Sequence, residues 1–321
     1  MVALLLFPLT PSQAGSSAET ANDEAIFEAS ETIQSDAQNS QAYLLRGSAY
    51  QNEGKTDKAL ADYNRSIEID SKNAKAFTLR GYIYETKGNF DQAIRDYSEA
   101  ITLDPTEAMA YVRRGIVLDD QKRPEEALTD FNTAIQLEPV LAQAYYNRAI
   151  VYQKMGRADQ AIADYTKALD INSNDSNSAY GRGLVYKNQG DFGKALADYN
   201  KAIEADGRNA NAFYGRGVLR EEGTHFDQAL GDYNRAIGLD PSIAEVYNSR
   251  GDLYLLYEAN VDQALADYDR AIQLDPENAD AYQNRAILYR ILGNSVKSRH
   301  DARQAERLRD IKRGLKKIKT G

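Results

Sequence analysis

The dipeptide Arg-Gly or Arg-Ala returns at Arg46, Arg80, Arg114, Arg148, Arg182, Arg216, Arg250 and Arg285. Six of the seven intervals are 34 residues and the last is 35. Asp62, Asp96, Asp130, Asp164, Asp198, Asp232, Asp267 and Asp301 keep the same beat. A 34-residue period predicts a helix-turn-helix solenoid. In such a stack each copy contacts only its neighbours, and there is no single globular core. The repeat therefore constrains function as well as fold, because a solenoid is an extended surface more readily than a reaction vessel.

The second copy serves as a template for the rest. Its first helix is predicted from Ala74 to about Lys87, where Gly88-Asn89 ends it. Asp91 is placed to cap a second helix that ends near Leu103, and Pro105 opens the next copy. On the second helix Ala93, Ile94, Tyr97, Ala100 and Ile101 fall on one face. Small residues recur where two helix axes must approach. On the first helices they are Gly47, Gly81, Gly115, Ala149, Gly183, Gly217, Gly251 and Ala286. On the second helices they are Ala59, Ala93, Ala127, Ala161, Ala195, Ala229 and Ala264, then Ser298. The rings Tyr63, Tyr97, Phe131, Tyr165, Tyr199, Tyr233 and Tyr268 lie opposite, as interdigitated packing requires.

This order of aromatic, Gly, Tyr, Gly, Ala, Tyr, Ala and Pro resembles the tetratricopeptide repeat. Eight copies of it cover residues 40 to about 309. The resemblance implies an all-α, right-handed superhelical solenoid whose concave groove is lined by the first helices. The motif is highly specific for fold and poorly specific for function.

The edges of the array depart from the template. Asp23 through Ile33 aligns with a second helix lying before the first copy, which predicts an N-terminal half-repeat. The eighth copy has Ala302 where the ring should be and lacks the proline, so its second helix is predicted to run on. Leu308, Ile311, Leu315 and Ile318 form an apolar stripe suited to a cap. The seventh copy carries one extra residue around Tyr257–Asn260 and loses the turn Gly, predicting a distorted turn. Arg220 replaces Tyr in the sixth copy. The domain organisation is therefore a signal-like or disordered segment at 1–19, a capping half-repeat at 20–39, eight repeats at 40–309, and a basic capping helix or tail at 310–321.

Residues 1–14 begin with an apolar run, Met1 to Leu9, followed by small residues Ser12 and Ala14 at cleavage-site spacing. The run is too short to span a bilayer and matches the apolar core of a secretory signal without its basic leader. The expectation is export to a bacterial periplasm; the alternative is a cytoplasmic protein with a disordered N-terminus. The chain has no Cys, which removes disulfides, thiolate metal sites and thiol nucleophiles.

The formal net charge of −9 hides an asymmetry. Residues 297–321 hold ten Lys/Arg and three Asp/Glu, so they carry +7 and the remainder −16. An acidic body repels phosphates and argues against nucleic-acid binding along the array. The recurrent Arg and Asp, offset by 16 residues, read as structural ion pairs between the two helices of each copy: Arg80 with Asp96, Arg114 with Asp130, Arg148 with Asp164, Arg182 with Asp198. Pairing to the preceding copy, with Glu28 serving Arg46, is the alternative. Such pairs fix geometry more than they add stability.

Catalytic patterns fail in turn. The two His residues, His225 and His300, read as solvated side chains, as does the pair Asp119-Asp120 at a helix end. No Ser-His-Asp, His-Glu-x-x-His or phosphate-loop arrangement occurs. The sequence therefore predicts a non-enzymatic scaffold with no cofactor and no metal.

By the resemblance, function lies on the first helices. One groove slot holds Tyr146, Tyr180 and Tyr214, and the slot one turn on holds Ile116, Ile150, Leu184 and Val218. Asn147, Gln153, Lys154, Lys187, Asn188 and Asn211 flank them. Rings supply buried area and amides bond a peptide backbone, so this strip suits a protein or peptide partner. The competing reading is that these residues only pack between copies. Some family members grip a terminal carboxylate with Lys and Asn; here the matching slots hold Leu44 and Ser48, Thr78 and Tyr82, Val112 and Ile116, so that clamp is absent. A second candidate surface is the basic tail, where Arg303, Arg307, Lys312, Arg313, Lys316, Lys317 and Lys319 could face an anionic surface. A third reading is self-assembly through the ends of the stack.

Overall fold

In the computed structural model the described residues run from 15 to 320, with side chains described for residues 21–313. The signal-like run at 1–14 and the side chains of Leu315, Lys316, Lys317, Ile318 and Lys319 lie outside them. The chain forms two compact units, residues 1–167 and 168–321. All regular structure among the described residues is α-helix.

The first unit opens with α1 (Gly15–Ser35). Helix pairs follow: α2 (Ser40–Asn52) with α3 (Thr56–Ile69), α4 (Ala74–Thr86) with α5 (Phe90–Leu103), and α6 (Ala108–Asp120) with α7 (Pro124–Leu137). The unit closes with α8 (Ala142–Lys154) and most of α9 (Ala158–Ile171). The second unit pairs α10 (Ser176–Asn188) with α11 (Phe192–Ala205) and α12 (Ala210–Glu222) with α13 (Phe226–Leu239). It then pairs α14 (Ala244–Leu256) with α15 (Val261–Leu274) and α16 (Ala279–Ile291) with α17 (Ser295–Thr320). As the sequence predicts, α17 runs on as one helix of 26 residues, and the boundary at 309/310 falls inside it.

The helix ends differ from the sequence reading at two points. Asn89, not Asp91, caps α5: its side chain accepts from the Gln92 amide, and Asp91 sits in the first turn. Asn is the better cap here because it follows the turn residue directly and its side chain reaches the free amides. Pro105 lies in the turn before α6 rather than in its first helical turn.

Small-against-large packing holds in both units. Tyr63 and Tyr97 in the first unit, and Tyr199, Tyr233 and Tyr268 in the second, are fully buried. A methyl group at Gly81 would lie 2.9 Å from Tyr97 Cε1, and one at Gly217 would lie 2.6 Å from Tyr233 Cε1. The missing side chain is thus what lets each ring lie flat on the first helix.

The turn between the paired helices needs a left-handed residue. Gly54, Gly88, Gly156, Gly190 and Gly293 supply it at φ between 72° and 80°. Lys122, Thr224 and Ala259 adopt the same conformation at φ 61°, 62° and 51°. Ala259 belongs to the seventh copy, whose extra residue lets Asn260 close the turn onto the Tyr254 carbonyl. An L side chain in this region costs roughly 1–2 kcal/mol. Lys122→Gly and Thr224→Gly are therefore each expected to raise stability by about 1 kcal/mol. Urea unfolding followed by circular dichroism checks this; a loss of stability would show that the side chains hold their turns.

The Arg–Asp pairs form within each copy. Nε and Nη2 of each Arg donate to both Asp oxygens at 2.6–3.0 Å, from Arg46–Asp62 through Arg285–Asp301. The seventh pair, Arg250–Asp267, is offset by 17 because of the extra residue. The link to the preceding copy is real but uses another slot. Nη1 reaches Ser30, Asn64, Ser98, Asn132, Asn200, Asn234 and Asp269 from Arg46, Arg80, Arg114, Arg148, Arg216, Arg250 and Arg285, at 2.5–3.4 Å. Ser30, two residues on from Glu28, therefore serves Arg46 in place of Glu28. Each of these seven guanidiniums thus ties three helices together. Hydrogen bonding to Asp96 holds Arg80 above its already high ordinary pKa.

Candidate functional site

The first helices place the candidate strip in both units. In the first unit, Tyr146, Ile116, Ile150 and Asn147 are half-buried and Lys154 is exposed. The Tyr146 ring packs on the buried Tyr165 ring at 6.1 Å, tilted by 55°. Ile116 packs on the core cluster around Phe131. These side chains seal the core with one side and meet solvent with the other. The Asn147 amide donates to the Gln143 carbonyl at 2.8 Å, so it is committed to its own helix. Lys154 Nζ pairs with Asp119 Oδ2 at 2.6 Å. Asp119 is thus an inter-repeat ion-pair partner and not a solvated helix end.

Beside this strip the first unit holds a network that the sequence did not reveal. Tyr97 donates to Glu85 Oε2 at 2.6 Å, and Arg113 lies 3.5 Å from Glu85 Oε1. The Arg113 guanidinium stacks 4.8 Å above the Tyr82 ring. Burial pushes the Glu85 carboxyl above the ordinary carboxylate range. Glu107, bonded by Thr78 at 3.0 Å, is raised for the same reason.

In the second unit Tyr180, Leu184, Lys187, Tyr214 and Val218 are half-buried. Tyr180 packs on Tyr199 at 5.8 Å and Tyr214 on Tyr233 at 5.9 Å. Tyr214 and Val218 rest on the cluster around Tyr233 and Leu253. Burial raises the pKa of both phenols, Tyr180 and Tyr214.

One first-helix slot accepts the core phenol in several copies: Gln51 from Tyr63, Gln153 from Tyr165, Glu221 from Tyr233. Lys187 fills that slot in the fifth copy and cannot accept, and the buried Tyr199 hydroxyl has no partner.

Carboxylates gather on the same face of the second unit. Tyr268 donates to Asp252 Oδ1 at 2.7 Å, and Asn284 Nδ2 bonds both Asp252 oxygens at 2.9 and 3.1 Å. Burial, helped by the charges of Glu221 and Asp280, pushes the Asp252 carboxyl up to about 6. Glu221 is raised by burial as well. None of these carboxylates was singled out from sequence. Asp252 stands 32 residues from Asn284, and only the stacking of α14 against α16 brings them together.

Asp252 gives a pH-dependent expectation. Its folded pKa lies above the unfolded value of about 3.9, so the folded state binds its proton more tightly. This contribution is fully present below about pH 4 and is lost as pH rises through about 6. Asp252→Asn is therefore expected to exceed the wild type in stability by about 2 kcal/mol at pH 7.5 and to match it at pH 4. Urea titrations at both values check this. A difference that does not change with pH would contradict it.

Among the described residues, no group of three or more His, Cys, Asp or Glu is placed to hold a metal ion. No helix among them is long and apolar enough to cross a membrane.

Profiles described as tetratricopeptide repeat match residues 74–107, 142–175 and 180–242, and one described as TPR repeat matches 47–88, 119–156 and 260–293. No curated protein sequence matches significantly. Among solved structures, the chain is similar to a chain of the APC/C hetero-tetramer Cut9-Hcn1. That match has TM-score 0.66 and 16% identity, and covers 85% of this chain and 53% of that one. It is also similar to Pseudomonas aeruginosa pilF, with TM-score 0.60 and 23% identity over 72% of this chain and 99% of that one. A tetratricopeptide repeat protein from Parabacteroides merdae matches at TM-score 0.58 and 21% identity, over 77% and 99%. At these identities the likeness concerns fold. The 34-residue beat, the Gly–Tyr packing and the profile matches agree, and the chain belongs to the tetratricopeptide-repeat family, an all-α solenoid fold that serves protein–protein interaction.

Proposed function

We propose that this protein is a non-enzymatic scaffold that takes a peptide segment of a protein partner on its first-helix face, and that it works in the bacterial periplasm after export. The observation that carries the peptide reading is the state of Tyr146, Tyr180 and Tyr214. Each ring is anchored on a buried ring beneath it yet remains partly open to solvent. An anchored aromatic offers contact area at little entropic cost, which suits it to be a binding hot spot. Carboxylates in the second unit, Glu221 and Asp252, favour a partner segment with basic side chains. The export reading rests on the apolar run and small residues at 1–14.

The test uses peptides selected from a random displayed library against the wild-type protein. Their affinity is then measured for the wild type and for the combined Tyr146→Ala, Tyr180→Ala, Tyr214→Ala variant, with helix content checked by circular dichroism. The reading expects at least a roughly tenfold loss of affinity in a variant that stays folded. Unchanged affinity would remove these rings from the binding surface.

A further inference from the structure

The last helix breaks the pattern of the other second helices in one respect. Two residues before the paired Asp, earlier second helices carry an aliphatic side chain: Leu60, Ile94, Leu128, Leu196, Leu230 and Leu265. Two residues after it they carry the acceptor for the next copy's Arg: Asn64, Ser98, Asn132, Asn200, Asn234 and Asp269. In α17 these two slots hold Arg299 and Arg303. A further copy's first helix would bring its ladder Arg against Arg303, so this face repels another repeat of the same kind. Arg299, Arg303 and Arg307 have no carboxylate partner among the described residues. With Val296, His300 and Gln304 they line a shallow groove of about 540 Å³. Val296 at its rim is 70% exposed.

Helix α1 has the opposite character. It contains five acidic residues and no basic one. Asp23, Glu24, Glu28 and Glu31 are all exposed. Among them Phe27 is 65% exposed, in a slot that holds Ala61 in α3 and Arg95 in α5. Glu24, Phe27, Glu28 and Glu31 share one helical face by their spacing of three and four residues. A large ring kept in water and ringed by carboxylates has the form of an anchor for a basic, partly apolar groove.

We infer that the Arg299–Arg303–Arg307 face of α17 docks the Glu24–Phe27–Glu28–Glu31 face of α1 from a second copy of this chain. Phe27 enters the groove beside Val296 and under the guanidinium of Arg303, and the three glutamates meet the three arginines. The contact joins different surfaces on the two copies, so it is heterologous and propagates head to tail. Two single-helix faces make a small interface, and its strength is salt-dependent. This inference is independent of the peptide-binding reading.

Sedimentation velocity on the full chain at 50 and 500 mM NaCl tests it. The expected result is concentration-dependent association at low salt, weakened at least tenfold at high salt. Arg303→Glu and Glu28→Arg should each be monomeric and fully helical. A mixture of the two variants should associate again in alternating head-to-tail order, since the wild-type faces meet at one junction and the reversed charges at the next. Three outcomes would overturn the inference. One is a wild type that stays monomeric at 50 mM NaCl up to about 1 mM. Another is association that survives in either single variant. The third is a mixture that stays monomeric while the wild type binds vesicles of one part phosphatidylglycerol to three parts phosphatidylcholine through Arg303, which would assign the face to an anionic membrane.

Discussion

Tyr97→Ala is expected to cost about 3–5 kcal/mol, the range for deleting a large buried ring. Tyr97 is fully buried, and its ring occupies the space left by Gly81 on the facing helix. Its hydroxyl also holds Glu85, whose buried carboxyl would lose its short donor contact. Tyr97→Phe separates the two effects. It keeps the ring, as Phe131 does naturally in the next copy, and should cost only about 1–2 kcal/mol for the lost hydrogen bond. In a stack of nearest-neighbour contacts the damage stays local. Hydrogen exchange should speed up most in α4 and α5. Urea unfolding gives the magnitude, and a cost near that of Tyr97→Phe would mean that the ring space collapses around the smaller side chain.

Asp232→Ala is expected to cost about 2–4 kcal/mol, by leaving two half-buried cations without their anion. Asp232 accepts from Arg216 at 2.7 and 3.0 Å and from Arg220 at 2.7 Å. Arg220 stands where most copies have a tyrosine, such as Tyr186 or Tyr254, so this carboxylate alone serves two guanidiniums. The loss should be smaller in an Arg220→Tyr background, because only one cation is then stranded. That coupling, read from the double-mutant cycle, should be about 1 kcal/mol or more. Additive effects would show that Arg220 relaxes into solvent when Asp232 is removed.

How far the sequence could be read follows from the range of each signal. The Gly and ring positions recur at a fixed spacing, so helix pairing and core composition are written locally, copy by copy. The capping residue of α5 moved from Asp91 to Asn89 because cap geometry depends on where the turn closes, which a periodicity fixes only to within a residue or two. The within-copy Arg–Asp pairs could be read from an offset of 16 residues, which the extra residue of the seventh copy changes to 17. The reach of each Arg to the preceding copy could also have been found, since a polar residue stands two positions after nearly every paired Asp. That signal is faint because the slot changes between Ser, Asn and Asp from copy to copy. Tyr146, Tyr180 and Tyr214 recur in one first-helix slot, but only the structure shows that each rests on a buried ring beneath it. The Asp252–Asn284 contact beside the recurrent ring Tyr268 had no periodic signal, because Asp252 and Asn284 occupy unlike slots in successive copies.

The central claim is that the first helices form the binding face, and the footprint of a bound peptide tests it most directly. Hydrogen exchange by mass spectrometry would be recorded with and without a saturating library-selected peptide. The account expects added protection in α10 and α12 of the second unit, centred on the turns that carry Tyr180 and Tyr214. Protection confined to the second helices, or to α17, would contradict it.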